Sequence, residues 1–87
     1  MDTGSQISGE KDEARRKEFT EKVAFHIRKL RKERKVSQED LAFNSGLNPA
    51  YISHLERGVY SPTFFVIWKI ARALDMTLDD FLKGFRV

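Results

Sequence analysis

Cysteine is absent from the 87-residue chain. That excludes a disulfide framework and any metal site built on thiolates. Histidine occurs twice, at His26 and His54, too far apart and too isolated from other ligands to suggest a metal centre. No glycine-rich phosphate loop is formed, and no nucleophile stands beside a base at catalytic spacing. Ser53 and His54 are neighbours, but on a helix their side chains diverge by about 100° and cannot act as a pair. These gaps argue against an enzyme, and nothing points to a cofactor or a small-molecule ligand. No apolar run approaches the roughly 18 residues of a membrane span, and the start is too polar for a signal peptide. The expected location is the cytoplasm.

What is present is charge, unevenly placed. The net charge is +3, yet residues 28–35, RKLRKERK, carry six basic side chains and one acid. Residues 36–87 carry five basic and six acidic groups. Positive charge therefore gathers at the end of one helix, where it complements the helix dipole and can also meet phosphate. The length suits a single domain. Residues 1–16 are expected to be a flexible N-terminal arm, and 17–87 the folded domain.

The segment 37–58, SQEDLAFNSGLNPAYISHLERG, reads as two short helices joined by a tight turn. Ser37 with Asp40 forms a capping box ahead of the small apolar face of Leu41 and Ala42. Gly46 stands where a left-handed residue is wanted, and Leu47 plugs the turn. Asn48 is a good N-cap, and Pro49 suits the first helical position, whose N–H is unsatisfied anyway. Ile52 and Leu55 face inward, while Ala50, Tyr51, His54 and Arg57 do not. The second helix runs over 49–57 and Gly58 ends it.

Around this pair the spacing predicts three more helices and no strand. The first spans about 19–34, with Phe19, Val23, Ile27 and Leu30 as its apolar stripe; residues 14–18 can extend it. Another covers about 63–74, with Phe64, Ile67, Ile70, Ala71 and Leu74 on the core side. Thr77 and Asp80 form a second capping box that opens a short helix over about 78–83. The fold class is all-α with five helices.

Residues Ser37-Gln38-Glu39, Leu41-Ala42, Gly46-Leu47, Tyr51-Ile52-Ser53, Leu55-Glu56-Arg57-Gly58 and Ile70-Ala71-x-Ala73-Leu74 resemble the lambda repressor/Cro-type (Xre) family of helix-turn-helix transcriptional regulators. The resemblance runs from about Phe19 to Leu82. It implies a lambda repressor-like DNA-binding domain whose second and third helices form the helix-turn-helix, with helix 49–57 in the major groove. By matching family positions, Asn48, Pro49, Ala50, Tyr51 and His54 fall at base edges. Gln38, Arg57, Tyr60, Ser61, Thr63 and Lys35 fall at phosphates. Pro49 replaces a glutamine found in phage repressors, so bidentate reading of adenine is lost there. His54 can donate or accept, and the sequence leaves its base open. Lys35 stands where the family has glycine; in a left-handed conformation it costs on the order of 1 kcal/mol. The family pattern also implies a structural ion pair between Arg31 and Glu56.

Phe65, Val66 and Trp68 are left over from the core of the fourth helix, and Phe81, Leu82 and Phe85 add to them. An exposed aromatic patch on a small domain marks an interface. A homodimer through Phe65, Trp68, Phe81, Leu82 and Phe85 is expected, against a thicker core in which the last helix or the arm covers Trp68. The leading function is regulation of transcription by a homodimer on an inverted-repeat operator in double-stranded DNA. The competing reading is a protein-interaction adaptor that uses the same fold and the apolar face.

Overall fold

Helix punctuation divides this chain, and each signal is satisfied by a specific bond. In the computed structural model, which describes residues 9–86, the elements are α1 Gly9–Glu33, α2 Gln38–Ser45, α3 Pro49–Glu56, α4 Phe64–Ala73 and α5 Leu78–Leu82. Among the described residues there is no strand. Four helices start on a side-chain cap that accepts from an otherwise unpaired backbone N–H. Ser37 Oγ accepts from Asp40 at 3.0 Å, Asn48 Oδ1 from Ala50 at 2.7 Å, Thr63 Oγ1 from Val66 at 3.1 Å and Thr77 Oγ1 from Asp80 at 3.0 Å.

The helix ends repeat one device. After α1, α2, α3 and α4 a residue takes positive φ: Lys35 at 59°, Gly46 at 73°, Gly58 at 76° and Asp75 at 61°. The next residue then reaches back to a carbonyl five positions earlier: Val36 to Arg31, Leu47 to Ala42, Val59 to His54 and Met76 to Ala71, at 2.9–3.2 Å. This is the Schellman arrangement, with an apolar residue after the left-handed one. Val36 and Leu47 pack against the core and Met76 is buried in it. Two of the four left-handed positions are thus held by residues with a Cβ, which costs energy that glycine would not.

The core is built from Val23 and Ile27 of α1, Leu41 and Ala42 of α2, Ile52 and Leu55 of α3, and Ile67, Ile70, Ala71 and Leu74 in and just after α4. Phe81 closes it from α5 at 2% exposure. His26 of α1, also buried, bonds through Nε2 to the carbonyl of Phe81 and meets its ring edge-on at 5.0 Å. That contact ties the last helix to the first. Phe81 therefore belongs to the core and not to the expected dimer patch. The opposite correction applies to Phe64, expected inside but 68% exposed. At about 100° of rotation per residue, Phe64 falls on the same outer arc of α4 as Phe65, Trp68 and Arg72, whereas Ile67, Ile70 and Ala71 share the inner arc. Val66, expected outside, packs against the core. Phe19 is not buried either; it meets Phe85 edge-on at 5.9 Å.

α1 begins at Gly9, ten residues before the expected Phe19. Residues 9–16 of the expected arm are helical, and 1–8 lie outside the described residues. Residues 9–19 are all exposed, so little beyond the Phe19–Phe85 contact orders them by packing. Strong helix formers, acids in the first turn and the Lys17–Glu21 pair at 2.7 Å supply the local preference.

Lys35→Gly and Asp75→Gly should each stabilise the fold by up to about 1 kcal/mol, since each removes a left-handed Cβ. Urea unfolding midpoints check this; a lower midpoint for both variants would show that the turns are unstrained.

Candidate nucleic-acid interface

The orientation of α3 is set by Glu56, its last residue, which is 2% exposed. Arg31 Nε donates to Glu56 Oε2 at 2.6 Å and Arg31 Nη2 to Oε1 at 2.9 Å, a two-pronged pair in which the Arg31 side chain is 11% exposed. Gln38 Nε2, at the start of α2, donates to the same Oε1 at 3.0 Å. Arg28 Nη1 donates to the Glu56 backbone carbonyl at 2.6 Å, and Arg31 Nη1 to the carbonyl of Val36 at 2.8 Å. One carboxylate thus binds α1, α2 and α3 together. Its hydrogen bonds push the Arg31 guanidinium pKa above its ordinary value, against the opposing effect of burial. A carboxylate so enclosed is neutralised within the protein and does not repel a phosphate at the surface.

Gln38 was expected on a phosphate. Its amide instead bonds Glu56, which leaves one N–H uncommitted. Arg28 was not anticipated at all. Its place one turn before Arg31 was visible, but only the fold brings the end of α3 within its reach.

At the other end of α3 the backbone is open. Asn48, Pro49 and Ala50 are exposed, and no acid occupies the first turn. Asn48 spends its Oδ1 on the cap and keeps its Nδ2 hydrogens. Further along, four expected contact residues form one cluster. Tyr51 stacks on Tyr60 at 5.7 Å with the rings 27° apart, and His54 meets Tyr60 edge-on at 5.6 Å and 72°. Arg57 Nη2 lies 2.8 Å from His54 Nδ1. Burial, with a smaller effect from Tyr60, raises the Tyr51 pKa, so its hydroxyl stays protonated at neutral pH. The i,i+3 spacing of His54 and Arg57 could have revealed their bond. The position of Tyr60, set by the loop after Gly58, could not have been read.

Ser61 is exposed beside this cluster, and Thr63 uses its hydroxyl as an acceptor in the α4 cap. Lys35 is exposed in the turn between α1 and α2 and takes no part in the cluster. Of the expected interface residues, Phe65 and Trp68 stack at 5.9 Å, at 64% and 42% exposure. Lys69 Nζ sits 5.5 Å from the Phe65 ring and Arg72 Cζ 5.1 Å from the Trp68 ring. Leu82 is exposed, while Phe85 is half-buried between Phe19 and His26.

Two eight-residue helices joined by a glycine-centred turn, the second with an open N-terminus, define a helix-turn-helix DNA-binding unit. A helix-turn-helix family model matches residues 27–81, and the chain belongs to this family of lambda repressor-type, DNA-binding transcriptional regulators, which are not enzymes. The HTH-type transcriptional regulator y4dL of Sinorhizobium fredii is 37% identical over 59 residues, covering 68% of this chain and 30% of y4dL. Regulator y4dJ of the same organism is 34% identical over 55 residues, covering 63% of this chain and 71% of y4dJ. Among solved structures, the restriction-modification controller protein C.AhdI from Aeromonas hydrophila superposes with a TM-score of 0.67 at 37% identity, over 71% of this chain and 94% of C.AhdI. The controller protein C.Esp1396I, solved as a tetramer in complex with its natural 35 base-pair operator, gives 0.74 at 34% identity, over 77% of this chain and 88% of its own. Among the described residues no helix is long and apolar enough to cross a membrane.

Glu56→Gln should cost on the order of 3 kcal/mol in urea unfolding, because Arg31 is left partly buried without its counter-charge. A loss of less than about 1 kcal/mol would place the pair with ordinary surface bridges.

Proposed function

We propose that the chain is a sequence-specific regulator of transcription that binds an inverted-repeat operator as a homodimer. The observation that carries this reading is the open N-terminus of α3, with Asn48, Pro49 and Ala50 exposed on a helix that Glu56 locks against α1 and α2. A helix held this rigidly enters the major groove without an ordering cost, and its first turn meets base edges. Ala50 offers a methyl group to a thymine methyl, and Pro49 offers shape alone. Tyr51 and His54 extend the reading surface one turn further. Gln38 with its remaining N–H, Arg57, Tyr60, Ser61, Thr63 and Lys35 supply phosphate contacts that fix register.

One such helix contacts few bases, and a two-fold pair spanning one turn of DNA gains avidity from the second half-site. The Phe65–Trp68 stack and Leu82 provide the apolar surface for that pairing, with Lys69 and Arg72 at its rim. C.Esp1396I, which binds its operator as a tetramer, supports multimeric binding here. Occupancy of the operator would then block or recruit polymerase, and cytoplasmic residence follows from that role.

Selection from a random DNA library, followed by a salt series on the enriched site, tests the reading. The expected result is an inverted repeat bound by two chains, at least about a thousandfold tighter than random DNA. Weak, salt-sensitive binding without enrichment would favour an adaptor that uses the aromatic face.

Trp68→Glu should reduce the sedimenting species to the 10.1 kDa chain while far-ultraviolet circular dichroism stays helical. A folded variant of unchanged mass would place the interface elsewhere.

A further inference from the structure

The bond between Arg57 and His54 settles a question that the sequence leaves open, namely which hydrogen-bonding role His54 has. A guanidinium has only donors and keeps its charge throughout the pH range of proteins. Arg57 Nη2 lies 2.8 Å from His54 Nδ1, so Nδ1 must present a lone pair. A neutral imidazole with a bare Nδ1 carries its proton on Nε2. Tyr60, edge-on to the His54 ring and itself stacked on Tyr51, hinders rotation that would exchange the two nitrogens. The only ring atom left for a base is therefore a donor.

We propose that His54 is a specificity-determining residue that reads DNA as a hydrogen-bond donor through Nε2–H, selecting a guanine in each half-site, with Arg57 and Tyr60 as its positioning residues. This rests on the reading of α3 as the base-contacting helix. In the major groove guanine presents two adjacent acceptors, N7 and O6. Adenine pairs its one acceptor with an amino donor, and thymine places a methyl beside O4. Cytosine presents an amino donor, which leaves two donors facing each other without an acceptor. A G·C pair, contacted at its guanine edge, is therefore preferred over an A·T pair. Arg57 thus acts on the base sequence without touching a base, because it fixes the proton on its neighbour.

Two measurements on the full chain test this. Long-range ¹H–¹⁵N correlation reads the tautomer directly. The expected result is Nε2–H for His54 in the native chain and a mixture in Arg57→Met; an Nδ1–H tautomer in the native chain overturns the inference. Selection on native and His54→Ala chains then identifies the position at which preference is lost. Replacing the guanine there by 7-deazaguanine or by 2-aminopurine removes N7 or O6 in turn. At least one replacement should weaken native binding about tenfold and leave His54→Ala binding unchanged. An A·T or T·A pair at that position, or no effect of either analogue on a tightly bound operator, overturns the inference while the regulator reading stands. No enriched sequence at all overturns both.

Discussion

Glu56 is the point on which three helices depend. Its carboxylate sits at the C-terminus of α3, an unfavourable place for an anion by the helix dipole alone, and almost out of contact with water. Both costs are offset only because Arg31 grips it with two parallel bonds while Gln38 adds a third and Arg28 holds its carbonyl. The requirement is mutual: without the carboxylate, the same arginines would be stranded at the junction of α1 and α3. Apolar packing of Ile52 and Leu55 draws α3 onto the domain, but such contacts are non-directional and tolerate rotation. The Glu56 network fixes direction, and direction decides which residues of α3 face a groove.

From that anchor the rest of the interface follows in order. A fixed C-terminus holds His54 and Arg57 one turn apart on the exposed side. The left-handed Gly58 turns the chain so that Tyr60 lands against both Tyr51 and His54. The exposed first turn of α3 carries small side chains, and His54, with Arg57 bonded to its Nδ1, follows one turn later. The anchoring carboxylate and the exposed His54–Tyr60–Arg57 cluster thus lie within a few residues of each other.

Much of this architecture was legible because it is written in local chemistry. Ser37, Asn48 and Thr77 are caps whose partners lie two or three residues away, and Gly46 and Gly58 mark turns by their own conformational freedom; Thr63, expected inside its helix, instead caps it. Arg31 and Glu56 stand 25 residues apart, so composition could not join them; the resemblance to a family did. Illegible were features decided by which way an element faces. The last helix carries Phe81, Leu82 and Phe85 within one segment, and only its docking against His26 decides that Phe81 goes in and Leu82 stays out. Phe64 sits at the border between two arcs of α4, where one residue of error in phase moves it from core to surface. The Arg28 bond and the place of Tyr60 depend on contacts across the fold. Gln38 carries one signal for two tasks, and the sequence offered no way to rank them.

The exposed start of α1 has a mechanical consequence. Over residues 9–19 no side chain is buried, whereas from Thr20 onward the same helix lines the core. A continuous element therefore contains two cooperative regimes. The inner turns open only when the domain does, at the full free energy of unfolding, while the outer turns fray on their own at a small fraction of it. Amide exchange along this one helix would run from fast to slow within a few residues, with the boundary at Thr20. The outer turns form a charged segment whose length is set by local helix propensity and salt, and Glu13, Arg16 and Lys17 of it lie along the 58–61 loop.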